Sequence, residues 1–142
     1  RTWRNFRERG GGYVQFTRDP VDFVEAALSV REEEAPILDS ADAWVEIEAE
    51  TSASGTDGGT EWTDWHLRAI ESSVERRVVP VTSRGRAAVV EATVAASRLD
   101  VDAYDTDDLR DRLAYFEGVV ERCGAPRDRE AFERARSLVE EW

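Results

Sequence analysis

Lysine and methionine are absent from this 142-residue sequence, and cysteine and histidine occur once each, as Cys123 and His66. A single cysteine excludes an internal disulfide. One cysteine and one histidine do not supply the clustered ligands of a zinc or iron site, so we expect no metal. No hydrophobic run approaches the roughly 20 residues of a membrane-spanning helix, and no signal-peptide pattern opens the chain. These absences favour a cytoplasmic protein without a membrane partner.

The two signs of charge are unequally represented. The sequence has 31 acidic residues against 19 basic ones, all of them arginine, and its formal net charge is −12. This excess argues against binding to nucleic-acid phosphates, where a basic surface is expected. An acidic composition without lysine is typical of halophilic proteins, because concentrated salt screens their self-repulsion. We therefore interpret the charge as adaptation to high salt, and not as a binding surface.

Short helices and strands are predicted in the first part of the chain. Residues 2–9 are expected to form a helix that ends at the glycine run 10–12, and a strand follows over 13–17. Asp19 and Pro20 are typical of the start of the next helix, because aspartate caps free N–H groups and proline suits the first helical position.

A long hairpin is predicted next. Apolar and polar residues alternate strictly over 43–50, which indicates a half-buried strand. The segment 51–60 is rich in Gly, Ser and Thr, and we expect it to be a loop without regular structure. Residues 61–79 are interpreted as the returning strand, bulged or broken near Ser72–Ser73.

The C-terminal part is predicted to contain three helices joined by short connections. The first extends over 83–99. The second is capped by Thr106 and ends at Gly124, and the third begins at Pro126. Cys123 is expected to be a small buried residue near the end of the second helix.

Strands followed by a run of helices predict an α+β fold. We expect one domain over residues 1–80 and a helical domain over 81–142 packed on it. The first residue is Arg1 and not methionine, and the first half offers too few strands for a closed sheet. The chain is therefore expected to begin inside a longer protein, whose preceding segment supplies the remaining strands.

Nucleophilic catalysis finds no support in the sequence. The serines at 72, 73 and 83 have only His66 as a possible base, and His66 lies in an aromatic segment where a structural or surface role is the better interpretation. The acidic runs are interpreted as solvated faces or helix caps. We name no catalytic residue.

The first six residues carry an arrangement that suits an anion. A helix N-terminus presents free N–H groups and the positive end of the helix dipole. Arg1 and Arg4 add guanidinium groups suited to phosphate, Thr2 offers a hydroxyl, and Asn5 is three residues further along the same side. The alternative interpretation is an ordinary surface helix capped by Thr2.

Four stretches carry a resemblance to a known family, and their order and spacing are more specific than any one of them. They are the Arg-Thr-aromatic-x-Asn element Arg1–Phe6, the strand, Asp turn and helix of Gly12–Phe23, the strand segment Ala41–Glu46, and the helical region that opens at Arg84–Ala92 and continues at Gly124–Arg127. In them the sequence resembles an uncharacterised prokaryotic family, common in archaea, of FMN-binding split β-barrel proteins related to flavin reductases. Phe6 stands where that family usually has leucine.

The resemblance implies a fold, a cofactor and a partner. The fold is a partial split β-barrel followed by a C-terminal three-helix unit, with the first strands of the barrel preceding Arg1. The cofactor is FMN, bound at the interface of a homodimer. By the same resemblance Arg1, Thr2 and Asn5 contact the phosphate or the ribityl chain, and Arg4 is a weaker candidate.

Three functional hypotheses remain open at this point. In the first, the protein is an FMN-binding, flavin-reductase-like oxidoreductase whose flavin carries the chemistry, with unidentified donor and acceptor. In the second, it is a non-enzymatic dimeric split-barrel module that has lost flavin. In the third, it is an unrelated α+β domain without a small-molecule role. Whether the protein is an enzyme is left undecided, because no residue is a convincing acid or base.

Five tryptophans are a high number for this length. Trp44 lies on the polar face of its predicted strand, and Trp62 and Trp65 flank it in the hairpin. Aromatic residues on an outward face suggest a partner surface. The alternative is that the C-terminal helices cover them.

Overall fold

The structure, a computed structural model, describes residues 2–30, 36–140 and 142. The described residues form five helices and three strands, which confirms the predicted α+β class. In chain order the elements are α1 (Thr2–Arg9), β1 (Gly11–Thr17), α2 (Pro20–Leu28), β2 (Ala41–Asp57), β3 (Thr60–Val74), α3 (Arg84–Ala96), α4 (Thr106–Cys123) and α5 (Pro126–Leu138).

The chain divides into two units. The sheet unit contains α1 and the strands, within residues 1–16 and 35–78, and the helical unit contains α2 to α5, within residues 17–34 and 79–142. Helix α2 is thus grouped with the C-terminal helices, although it precedes β2 in the chain. The expected domains 1–80 and 81–142 would place α2 with the strands, and that division stays a prediction.

Pairing between β2 and β3 builds the sheet unit. The strand order is β1-β2-β3, and β2 runs antiparallel to β3 up to the pair Asp57–Thr60. Gly58 and Gly59 form the two-residue turn with φ of +54° and +87°. Positive φ at both positions is what a type I′ hairpin turn requires, and glycine adopts it without steric cost. The prediction of an irregular loop over 51–60 is therefore wrong.

The physical reason for this difference is that backbone hydrogen bonds, and not burial, order this part of the hairpin. Threonine fits a pleated strand well, and the cross-strand N–H···O=C bonds do not depend on the side chains. Gly55 lies directly opposite Trp62, and a Cβ on Gly55 would stand 2.6 Å from the Trp62 ring. The Trp62 ring therefore covers Gly55 on the opposite strand of the hairpin.

Two bulges interrupt the ladder. The register shifts between Glu46 and Ile47, which leaves Ile70 of β3 unpaired, and again between Thr51 and Ala53, which leaves Ser52 of β2 unpaired. The bulge expected near residues 72–73 lies instead at Ile70, and β3 ends at Val74. Bulges increase the local twist and change the direction of the side chains next to them.

The predicted alternation of β2 is confirmed in the middle of the strand. Ile47 and Ala49 are 7% and 6% exposed, whereas Glu48 and Glu50 are exposed. One face of the sheet is therefore apolar, and the other carries carboxylates.

A buried carboxylate fixes the open end of the hairpin. Asp42 is buried, and its Oδ1 accepts a hydrogen bond from Arg76 Nε at 3.0 Å. Nη2 of Arg76 donates to the carbonyl oxygens of Asp39 and Ala41, each at 3.0 Å. Because the arginine has several acceptors and the carboxylate has a charged partner, the buried charge is compensated. The residues after β3 are thereby held against the start of β2.

The helical unit has its own core, built by residues from all four of its helices. Small side chains of α3 let the neighbouring helices approach closely, and larger apolar side chains of α2, α4 and α5 fill the space between them. The buried apolar residues are Val24, Ala88, Val89, Ala92, Ala95, Ala96, Leu99, Leu109, Leu113, Val119, Val120, Ala131, Phe132 and Ala135.

The helix starts of this unit agree with the sequence analysis except at α4. Its N-cap is Asp105, whose carboxylate accepts the N–H groups of Asp107 and Asp108 at 2.9 and 3.1 Å. Thr106, predicted as the cap, is the first helical residue. Cys123 is exposed and not buried as expected, since it lies outside the apolar stripe of α4.

Two glycines allow the ends of three helices to meet. A Cβ on Gly85, at the start of α3, would stand 2.4 Å from the Cα of Gly124, which ends α4. Gly124 has φ of −75°, so close approach and not a left-handed conformation explains the glycine. Beside them, Oδ2 of the buried Asp128 accepts the N–H of Ala125 at 2.9 Å and caps α5.

Replacing Gly85 with alanine should destabilise the protein by about 1–3 kcal/mol, because the added methyl group meets backbone atoms that cannot move aside cheaply. Urea unfolding followed by circular dichroism measures this. The matched control is Gly118→Ala within α4, where the nearest atom is the flexible end of Arg122 at 3.0 Å. That variant should be up to about 1 kcal/mol more stable through helix propensity. Equal effects of the two substitutions would contradict the close-approach argument.

An ion pair joins α2 to α5. Oδ1 of Asp19 accepts the N–H of Val21 at 2.8 Å as the N-cap of α2, and Oδ2 lies 2.9 Å from Nη2 of Arg127. Burial alone raises the pKa of Asp19. The hydrogen bonds from Arg127, Asp22 and Val21 and the charge of Arg127 outweigh it and hold the pKa below its ordinary value. The carboxylate therefore stabilises the fold above its unfolded-state pKa, and this contribution is lost as the pH falls through the lower folded-state pKa.

Asp19→Asn should retain the cap but lose the ion pair, because asparagine caps helices about as well as aspartate. We expect a loss of about 0.5–1 kcal/mol at pH 7 for this partly exposed pair. The difference from the wild type should be constant well above a pH of about 3.9, the ordinary pKa of an aspartate, and should diminish as the pH falls from there through the lower folded-state pKa, where the wild-type carboxyl becomes protonated. Denaturant unfolding between pH 7 and 3 measures it, with Glu130→Gln as the control that removes Arg127's more exposed partner. A difference that does not change with pH would contradict the assignment.

Candidate functional site

Helix α1 has the bounds that the sequence predicted, Thr2–Arg9. Arg4 and Asn5 lie in its first turns and are exposed. Thr2 is its first residue, and the side chain of Thr2 lies outside the described part of the structure, as does the whole of Arg1. Of the four residues predicted to contact the phosphate, the structure describes the side chains of Arg4 and Asn5, which are both exposed near the N-terminal end of α1.

The first turn of α1 carries no carboxylate. By contrast, acidic residues occupy the first turns of α2, α4 and α5, where they complement the positive end of the helix dipole. In α1, arginine and asparagine occupy this turn beside backbone N–H groups that have no partner within the helix. The turn therefore presents hydrogen-bond donors and positive charge in a protein of net charge −12, which is the chemistry that recognises an anion such as a phosphate monoester.

Two glycines attach the C-terminal end of α1 to the sheet. Gly10 adopts φ of +68°, and its N–H donates to the carbonyl of Phe6 at 2.9 Å. The carbonyl of Gly10 accepts the N–H of Ala49 at 2.8 Å. A Cβ on Gly11 would stand 2.2 Å from the carbonyl oxygen of Ile47, so β1 approaches β2 more closely than a side chain allows. The chain thus passes directly from α1 into β1.

An aromatic contact attaches α1 at a second point. The rings of Phe6 and Trp65 have centroids 5.4 Å apart and planes at 67°, an edge-to-face arrangement. Trp65 is paired with Thr51 in the sheet, immediately before the bulge at Ser52. The turn that carries Arg4 and Asn5 is therefore held over a defined part of β3.

A second aromatic pair lies elsewhere on the sheet. The rings of Tyr13 and Trp44 are 5.9 Å apart at 69°, and the indole N–H of Trp44 donates to Glu75 at 3.0 Å. Burial, the charge of Glu46 and the hydrogen bond to it, and the charge of Glu71 raise the pKa of the Tyr13 phenol. The phenol therefore stays protonated at neutral pH and is a hydrogen-bond donor, not a base.

Other parts of the described structure offer fewer groups that could bind a ligand or take part in a reaction. His66 is exposed and paired with Glu50 across the strands. No group of three metal-ligating residues occurs among the residues that the structure describes. Within that same part, no helix is long and apolar enough to cross a bilayer. A concavity of about 650 Å³ lies near the hairpin turn, lined by Ser54, Gly55, Thr56, Glu61, Trp62 and Thr63.

The contact between Phe6 and Trp65 is the feature of this site that the sequence analysis missed. Trp65 was interpreted with Trp44 and Trp62 as a partner surface or as a residue covered by the C-terminal helices. In the structure, Trp65 and Trp44 each contact an aromatic residue of the sheet unit, while Trp62 is 43% exposed, and the partner surface stays a prediction. Nothing in the local pattern marks Phe6 as the partner of Trp65, because the two residues belong to distant segments.

Comparison with known proteins identifies the family. The N-terminal domain model of a protein family of unknown function, DUF447, matches residues 1–76, and a second model of that family matches residues 83–136. Among solved structures, the chain is similar to the crystal structure of the FMN-bound protein MM1853 from Methanosarcina mazei, which is also assigned to DUF447. The TM-score is 0.80 and the identity 22%, over 97% of this chain and 76% of the other. None of the curated proteins matches the chain. Since the N-terminal model alone spans more than half of the sequence, the resemblance found in the sequence is confirmed, and the chain belongs to the DUF447 family.

Proposed function

We propose that this protein binds FMN and holds the phosphate at the N-terminal turn of α1, with Arg1, Thr2, Arg4 and Asn5 as the contacting residues. The observation that carries the proposal is the first turn of α1, which contains an arginine and no carboxylate, in a chain whose fold matches that of an FMN-bound protein. Of the four residues, the described side chains of Arg4 and Asn5 are exposed and available to a ligand.

The residues present fit the phosphate of FMN in charge and in hydrogen bonding. A phosphate monoester is a dianion with only acceptor oxygens near neutral pH. A guanidinium group and a side-chain amide supply donors, and the absence of a carboxylate from this turn removes local repulsion. The excess of acidic residues in the chain disfavours anions in general, so a first turn without a carboxylate favours binding of FMN at α1.

A split barrel and a homodimer are part of the same proposal. The described sheet has three strands, and apolar side chains along it remain accessible: Phe16, Leu67 and Val74 are 55%, 46% and 66% exposed. A second copy packed against the sheet would cover these side chains. The cytoplasmic location and the high-salt adaptation expected from the sequence stay predictions.

We further propose a flavin-dependent oxidoreductase. Bound flavin supplies hydride and single-electron transfer. The chain's own residues would bind the phosphate and orient the cofactor.

The purified protein should take up FMN. We expect flavin absorbance to remain with the protein after gel filtration in high-salt buffer. FMN at 100 times its dissociation constant should stabilise the fold by about 2.7 kcal/mol, seen as a rise in melting temperature. A colourless dimer whose melting temperature does not change with FMN would support the alternative, a split-barrel interaction module without flavin.

Arg4→Ala should weaken FMN binding about 10- to 100-fold, because a charge-assisted hydrogen bond to phosphate contributes about 1.5–3 kcal/mol. Titration of FMN fluorescence measures the dissociation constant. Arg9→Ala is the matched control, since it removes the same charge from the opposite end of the same helix. Equal losses in the two variants would indicate a general charge effect and contradict the proposed phosphate site.

A further inference from the structure

We propose that Trp65 is a positioning residue for phosphate recognition. Its edge-to-face contact with Phe6 holds α1 against the sheet, so that Arg4 and Asn5 are in place before the ligand arrives. This role rests on the proposed FMN binding, because it concerns the groups that would hold the phosphate. Trp65 acts through Phe6 and α1, and not through contact with the flavin.

Helix α1 needs support from the sheet. It has eight residues, and an isolated helix shorter than about 12 residues is marginal in water. Its sequence is mostly charged and polar, with Trp3 and Phe6 as its apolar residues. Phe6 is half-buried, and its ring meets Trp65 at 5.4 Å. Tertiary packing, to which this ring contributes, therefore supports the short helix more than helix propensity does.

The position of Phe6 explains why this contact bears on Arg4 and Asn5 in particular. The glycine turn at Gly10 fixes the C-terminal end of α1 through the hydrogen bond to Ala49. Phe6 supplies a further point of attachment one turn earlier, which helps to set the direction of the helix. Asn5 directly precedes Phe6 and Arg4 lies one residue further, so both belong to the part of the helix whose direction this contact sets.

The sheet in turn holds Trp65 in a defined place. Trp65 is paired with Thr51, the last residue before the register shift that leaves Ser52 unpaired. A bulge changes the direction of the side chains beside it and is a common device next to functional sites. The bulge therefore lies where it can set the direction in which Trp65 meets α1.

Loss of the contact has a specific expected signature. Without it, α1 must be ordered at the moment of binding, and the cost of immobilising Arg4 and Asn5 reduces the affinity. In the proposed site these two side chains bind the phosphate, which of the two flavins only FMN carries. Riboflavin, which is FMN without its phosphate, should be affected little. The ratio of riboflavin to FMN dissociation constants therefore reports on positioning separately from general stability.

The experiment measures FMN and riboflavin dissociation constants by fluorescence titration for the wild type, Trp65→Leu, Trp65→Phe and Trp44→Leu. Trp44 is the matched control, since it lies in the same sheet and forms an edge-to-face pair of similar geometry with Tyr13, away from α1. Circular dichroism and melting temperature of the ligand-free proteins establish that each variant is folded. If Trp65→Leu does not fold, Trp65→Phe at lowered temperature and the partner variant Phe6→Ala give the same comparison.

We expect Trp65→Leu to lose about tenfold in FMN affinity, consistent with the cost of ordering two side chains on binding, and to change little with riboflavin. Trp65→Phe should recover most of the loss, and Trp44→Leu should keep the wild-type ratio. An unchanged ratio in Trp65→Leu, an equal loss for both flavins, or the same change in Trp44→Leu would overturn the positioning role. A wild-type protein that binds no FMN would instead refute the proposed function itself.

Discussion

The antiparallel hydrogen bonds between β2 and β3 are the interaction on which the sheet unit depends. They hold Trp65 at the place where Phe6 meets it, and they bring Asp42 within reach of Arg76. Strand β1, which follows the candidate helix α1, adds to the outer edge of β2. A short helix with little propensity to form alone thereby obtains a fixed place from the pairing of residues far away in the chain.

The helix starts without acidic residues are the informative part of the charge distribution. Acidic side chains at the helix starts of the helical unit satisfy free N–H groups and complement the helix dipoles. Helix α1 departs from this rule, and so does α3, whose first turn contains arginines. In a protein with 31 acidic residues, a turn without carboxylates is a local feature that the overall composition conceals. Net charge alone would have suggested that the protein avoids anions everywhere.

The sequence predicts those helix ends that depend only on neighbouring residues. The glycine run set the end of α1, and Asp19 with Pro20 set the start of α2, because capping and backbone conformation act within a few residues. The extent of the hairpin was underestimated, since the Ser/Thr-rich segment 51–57 lacks the apolar alternation that marks a strand, although Gly58-Gly59 is itself a hairpin signal. The contact between Phe6 and Trp65 was not predictable, because only the register of β3 determines which side chain reaches α1.

The two-residue glycine turn lies at the tip of the hairpin formed by β2 and β3. The length of this hairpin can therefore change without a change in the rest of the sheet unit. Beyond the hydrogen bond between Gly10 and Ala49, the described β2 and β3 are held together by their mutual ladder and by cross-strand neighbours such as Gly55 and Trp62. Removing or adding equal numbers of residues on both strands leaves every remaining cross-strand pair opposite its partner. Homologous proteins can therefore differ in the reach of this ribbon without any rearrangement at its base.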